Sequence, residues 1–166
     1  IGGGLYCYSC DPTLSNLIIQ NNTAENFGGG IYMNQANPTM NNVTVKYNLA
    51  GEQGGGMYCH LSSPAFSTNL RSNIFLNETA NGFSRDLYNN SNFDIYVIVD
   101  TFTVESPDNY FAQPINNFTF DILHSVIEQI DHDVYVSPSG SDLNSGLTAD
   151  DPFKTISYAL SRILSN

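Results

Sequence analysis

Gly28-Gly29-Gly30-Ile31-Tyr32 stands between two near-copies of itself, Gly2-Gly3-Gly4-Leu5-Tyr6 and Gly54-Gly55-Gly56-Met57-Tyr58, at a step of 26 residues each time. Two further landmarks keep that step. Pro12-Thr13-Leu14 returns as Pro38-Thr39-Met40 and Pro64-Ala65-Phe66, and Ile19-Gln20-Asn21-Asn22 returns as Val45-Lys46-Tyr47-Asn48. Three landmarks in one register are the mark of a repeat architecture. A fourth unit is degraded: Asn73-Ile74-Phe75-Leu76-Asn77 and Gly82-Phe83-Ser84-Arg85-Asp86-Leu87-Tyr88 arrive late. An insertion of about four residues between Pro64 and Asn77 accounts for the delay.

Each unit holds short alternating runs rather than helical periodicity. Leu5 and Cys7 share one face of a strand, Tyr6 and Tyr8 the other, and Ile31/Met33 and Met57/Cys59 repeat the apolar face. Gly, Asn, Pro and Ser separate the runs. Two or three short strands and turns per 26 residues make one coil of a right-handed parallel β-helix. A coil cannot bury its own apolar face, so its neighbours must cover it. Leu5, Ile31 and Met57 are then expected as an interior column, Asn22 and Asn48 as a side-chain ladder at a bend, and Tyr6, Tyr32 and Tyr58 as an aromatic ladder outside. An antiparallel β-sandwich is the competing reading, but it does not need identical landmarks at fixed spacing.

Composition bounds the function. The chain has 166 residues, 41% of them hydrophobic, which suits one domain with a real core. Sixteen acidic residues against 5 basic give a net charge of −11, which repels phosphate backbones, so nucleic acid is not expected as a partner. No stretch reaches the roughly 20 apolar residues of a membrane span, and Ile1 leads into a glycine run with no signal-peptide pattern. The three cysteines, Cys7, Cys10 and Cys59, do not form a disulfide framework. Cys7 and Cys59 fall two coils apart, about 9.6 Å along the axis, beyond the roughly 7 Å that a disulfide spans.

Glycine-rich Gly28-Gly29-Gly30-Ile31 followed by Val45-Lys46-Tyr47-Asn48 resembles the repeats of polymorphic outer-membrane-type adhesins and related pectin-lyase-like β-helix surface proteins. Gly stands for Ala, and Ile or Val for Phe, of their motifs. The resemblance covers roughly residues 1–90 and implies a surface or secreted protein that adheres or builds a matrix. Asp133-Val134-Tyr135-Val136-Ser137-Pro138-Ser139-Gly140-Ser141-Asp142, then Asn144-Ser145-Gly146 and Asp151-Pro152-Phe153-Lys154-Thr155-Ile156, resemble the opening segment of secreted bacterial β-helix proteins, including some polysaccharide lyases. There a strand runs through a Gly/Asp-rich loop into a capping helix. Asp150 or Asp151 is placed to N-cap, Pro152 suits the first helical position, and Phe153, Ile156, Leu160, Ile163 and Leu164 form an apolar stripe.

The expected organisation is all-β: coils over 1–131, regular to residue 90 and irregular over 91–131, then a strand, loop and amphipathic capping α-helix over 132–166. A motif that starts a β-helix thus ends this chain, which fits a fragment of a longer array, a head-to-tail filament or a permuted fold. Ile1, Gly2 and Leu5 at one end, with Phe153, Ile156 and Leu160 at the other, are the assembly candidates, and the partners are other copies or adjacent β-helix segments.

No catalytic set is evident. Arg71, Arg85 and Asp86 lie in the degraded coil and read as solvated loop charges, and His60, His124 and His132 share no metal spacing. No cofactor is expected. Calcium is the one ion the residues suit, through Asp142, Asn144, Asp150 and Asp151, which also serve as turn-forming and helix-capping acids. Tyr6, Tyr32 and Tyr58 are the candidates for stacking on sugar rings. The expected role is structural or adhesive at an extracellular surface, and the alternative is a fragment of a carbohydrate-active β-helix enzyme or a glycan-binding module. Sequons stand at Asn21, Asn42, Asn77, Asn89 and Asn117.

Overall fold

The computed structural model describes residues 1–164. In chain order the strands are β1 (Leu5–Tyr8), β2 (Thr13–Gln20), β3 (Thr23–Ala24), β4 (Ile31–Asn34), β5 (Thr39–Lys46), β6 (Leu49–Ala50), β7 (Met57–His60), β8 (Ala65–Phe66), β9 (Ser72–Phe75), β10 (Glu78–Thr79), β11 (Leu87–Asn90), β12 (Ile95–Phe102), β13 (Ala112–Gln113) and β14 (Phe118–Ser125). One helix, α1 (Ile156–Leu160), follows. All strand pairings are parallel. The sheets run β1-β4-β7-β11-β13, β14-β12-β9-β5-β2 and β10-β6-β3, each strand beside its equivalent in the next coil. The fold is a parallel β-solenoid with coils of about 26 residues.

The expected columns are present. Leu5 pairs with Ile31, Ile31 with Met57 and Met57 with Leu87, while Cys7, Met33, Cys59 and Asn89 form the column beside them. Ile31, Met33 and Met57 are buried, as are Met40, Val43, Val45, Ile74, Val97 and Val99 of the long sheet. Cys7 and Cys59 sit two coils apart with Met33 between, and none of the three cysteines is bonded. Burial pushes the Cys59 thiol up to about 12, which keeps it a neutral core side chain.

The insertion divides in two. Met40 pairs with Phe66 at the regular spacing, but Val45 pairs with Ile74 and Asn48 bonds Asn77 across 29 positions. Three extra residues therefore lie between Phe66 and Ser72, at the bend of the long sheet. Met57 pairs with Leu87, 30 positions on, so a fourth extra residue lies between Thr79 and Ser84 rather than before Asn77.

The chain divides into two compact units, residues 1–103 with 107–126, and residues 104–106 with 127–166. In the second unit Val136 bridges Phe153 and Ile130 bridges Ile163. The expected helix is corrected here. It spans only Ile156–Leu160, its N-cap is Thr155, and neither Asp150 nor Asp151 caps it. Phe153 donates its N–H to Tyr135 and accepts from Ser137, so it stays extended and buried. Asp142 holds the N–H groups of Lys154 (2.9 Å) and Thr155 (3.0 Å). These contacts delay helix entry until residue 156. The stripe is not amphipathic: Ile156 is 70% exposed and Leu160 41%.

Candidate functional site

Four features of the chain carry chemistry, and the repeat places the first two of them. The first is the aromatic ladder. Tyr6, Tyr32, Tyr58 and Tyr88 stack at centroid distances of 5.5, 5.1 and 5.1 Å, the separation that coil-on-coil pairing imposes. Tyr32 and Tyr58 are only 8% and 5% exposed. Phe27 covers Tyr58 at 4.8 Å, and Asn90 donates to its hydroxyl at 3.0 Å. Burial raises the pKa of both phenols. Of the three tyrosines proposed for sugar stacking, only Tyr6, at 48% exposure, presents an open ring.

The second is the amide ladder. Asn22 donates its side-chain amide to Asn48 Oδ1 (3.0 Å), and Asn48 donates to Asn77 Oδ1 (2.9 Å). The backbone N–H of each donor residue reaches the same oxygen. Asn77 then donates to Asp86 Oδ1, at 2.9 Å from its side chain and 3.2 Å from its backbone. Asp86 is therefore the final rung, and the reading of it as a solvated loop charge is corrected: it is fully buried. Burial pushes its carboxyl up to about 6, against the opposing pull of Thr103, Asn77 and Arg85. Its second oxygen has no hydrogen-bond partner. The substitution has a steric logic. A Cβ on Gly30 would lie 2.9 Å from the Asn48 amide, and on Gly56 2.8 Å from that of Asn77. With the carbonyl oxygens of Gly56 and Asp86 closer still, at 2.7 and 2.6 Å, backbone and amide together leave room only for glycine there. Asp86 aligns with Gly56, since Met57 pairs with Leu87. Three residues beyond the Ile74–Phe102 pair the chain has Glu105 instead of Asn. The fourth coil has lost both members of the Gly–Asn pair, and the Asp86 side chain fills the place of the missing amide.

The third feature lies on the outer face of the long sheet. Arg71, at the end of the inserted segment, donates to the carbonyl oxygens of Val99 and Asp121 (both 3.1 Å) and to Asp121 Oδ2 (2.7 Å). It straps β9, β12 and β14 together. Asp100 lies at a register shift between Val99 and Thr101, accepts from the Thr101 hydroxyl at 2.9 Å, and has His124 Nδ1 at 3.5 Å. Arg71, with a side-chain exposure of 20%, is thus an anchored group and not a loose loop charge. Arg85 is likewise anchored, on Glu78 (2.8 Å) and over the Tyr110 ring. The Arg71 guanidinium holds the Asp121 carboxyl below the usual carboxylate range. Between the inserted segment and β12 runs an open groove lined by Asn42, Asn69, Arg71, Asn73, Asp100 and the two leucines Leu70 and Leu123. Sequence reasoning missed Asp100 and Asp121, whose strands lack the glycine landmark, and named His124 only to set it aside for want of metal spacing. The three-residue excess was the signal that marked the place.

The fourth is the Gly/Asp-rich loop of the second unit. Asp142 Oδ1 holds the two N–H groups already given, and its Oδ2 accepts from the Thr155 hydroxyl (3.0 Å). Asp151 Oδ2 accepts from the Ser145 N–H (2.9 Å) and hydroxyl (2.7 Å), and Asn144 donates to the Pro152 carbonyl (2.9 Å). The Ser145 bonds lower the Asp151 pKa; for Asp142 burial raises it, but the Thr155 and Lys154 bonds outweigh that. Asp150 is exposed and apart from these bonds. Among the described residues no cluster of three acidic, His or Cys side chains could hold a metal ion, and no helix is long and apolar enough to cross a membrane.

No protein family, curated protein or solved structure matches this chain. The parallel solenoid therefore rests on the strand pairing itself.

Proposed function

We propose that this chain is a structural and adhesive β-solenoid of an extracellular or cell-surface protein, whose coils associate with other coils, from other copies or from neighbouring segments of a longer chain. The observation that carries this reading is the commitment of outward and corner side chains to coil-to-coil contacts: the tyrosine stack, the amide ladder and the Arg71 strap. These tie each coil to its neighbours, and the polar residues of the coils are largely Asn, Thr and Ser rather than charged. The glycine–hydrophobic and Asn landmarks that resemble adhesin and pectin-lyase-like repeats favour the same surface role. On the assembly side, Ile1 is 59% exposed, and the Asn22 side-chain oxygen accepts no bond, leaving it matched to an amide donor from another coil. Phe153 is buried, so in the second unit Ile156 and Leu160 offer the apolar contact.

A second reading, a carbohydrate-active enzyme, is favoured by one observation, the convergence of Arg71, Asp100, Asp121 and His124. Against it, the Arg71 guanidinium is tied by three hydrogen bonds to Val99 and Asp121, and Asp121 is held low, the wrong direction for a general acid. Two measurements separate the readings. Incubation with pectins and alginates is expected to release no unsaturated or reducing products. Sedimentation and electron microscopy across concentration are expected to show elongated assemblies. Turnover of either polymer, or short monodisperse rods at every concentration, would overturn the proposal.

A further inference from the structure

We propose that the groove beside the inserted segment binds neutral glycans through their hydroxyl groups. This inference rests on the adhesive reading and supplies its ligand class. The repeat departs from its period by three residues at the bend where the groove opens, and in repeat folds such insertions gather on the binding face. The Arg71 strap fixes the segment to β12 and β14 through three hydrogen bonds, so the groove is formed before any ligand arrives. Its volume, about 670 Å³, lies in the range of small-ligand sites.

The free hydrogen-bonding atoms define the ligand. Asn42 uses one of its two amide N–H groups on Asn16 (2.9 Å), and Asn73 one of its two on Thr44 (3.2 Å). Their side-chain carbonyl oxygens remain open acceptors. Asp100 uses Oδ2 on Thr101 and keeps Oδ1 open. Asn69 is exposed with its amide unused. With the remaining amide N–H groups, the site offers both acceptors and donors, and it selects a ligand whose groups both donate and accept, as hydroxyls do. Leu70 and Leu123, 54% and 55% exposed, add apolar surface at its walls. Hydroxyl donors combined with aliphatic C–H faces are the chemistry of a sugar ring. An anionic sugar is disfavoured twice. The groove's single guanidinium is neutralised by Asp121, and the chain carries a net charge of −11.

The test uses the full chain on an array of neutral and uronic-acid oligosaccharides, with affinities then measured in solution. Neutral glycans are expected to bind saturably and uronic acids far more weakly. Asp100→Asn, which loses a charge-assisted bond, is expected to weaken binding about tenfold or more, and Asn69→Ala to weaken it by less. Both positions are outside the core, so circular dichroism and thermal unfolding should be unchanged. Deletion of Thr68–Leu70, which restores the regular spacing, is expected to abolish binding. Equal affinity for uronic acids, displacement of the glycan by a lysine-rich peptide, or binding indifferent to Asp100→Asn would overturn the inference. If assemblies form but no glycan binds, this inference fails alone; if glycan is cleaved, the adhesive reading fails with it.

Discussion

Asp86 is where a single residue has the largest consequence. Its folded pKa of about 6 lies above the ordinary 3.8, so between those values the folded chain holds a proton that the unfolded chain has released. Stability falls as pH rises across that window and stays lower above it. The burial cost of the ionised form corresponds to roughly 3 kcal/mol at most. Asp86→Asn keeps the oxygen that Asn77 needs and removes the charge. Denaturant unfolding at pH 4 and pH 8 should show the variant more stable than the parent at pH 8 and much less pH-dependent. A variant that is weaker at pH 8 would show that the ionised carboxylate itself holds the corner. Asn48→Ala is the opposite case. It strips acceptors from both N–H groups of Asn22 and the donor from the Ile19 carbonyl, and is expected to cost roughly 2–4 kcal/mol, read as a lower urea midpoint.

At the scale of elements, loops set the limits of strands and helix. Gly30 in the β4 approach shows why the glycine run recurs: a Cβ there would meet the Gly56 carbonyl at 2.7 Å, backbone that cannot move aside. Gly30→Ala is therefore expected to destabilise the coil by more than the usual cost of a surface change, roughly 2 kcal/mol or above, by thermal unfolding. In the second unit, the carboxylates of Asp142 and Asp151 are spent on loop N–H and hydroxyl groups. Millimolar calcium is expected to leave the melting temperature unchanged, whereas Asp142→Ala should lower it. A saturable rise with calcium would instead establish the loop as a metal site. Helical spacing over Phe153–Leu164 was legible in the sequence, but the bonds from Asp142, Tyr135 and Ser137 act through space, and they keep Phe153, Lys154 and Thr155 out of the helix.

For the whole molecule, stacking decides which surface groups stay accessible. Of the five sequons, Asn21 and Asn42 are exposed, while Asn77 and Asn89 are 1% and 2% exposed and bonded inside the coil. In a cell that glycosylates sequons, glycan mapping of the folded, soluble fraction should find Asn21 and Asn42 as carriers and Asn77 and Asn89 bare. Folded protein with a glycan on Asn77 would show that the amide ladder is not in place.

The 26-residue period by itself determined the solenoid, its interior column, and the tyrosine and asparagine ladders. In a stack of coils, sequence spacing translates directly into spatial neighbours one strand apart. The period could not determine what happens where it lapses. The Arg71 strap joins residues 50 positions apart, the Asp86 carboxylate stands in for an amide that belongs to a different corner of the coil, and the groove exists only because three inserted residues bulge over two later strands. Those features come from side chains reaching between coils, and only the tertiary packing brings their partners within hydrogen-bonding distance.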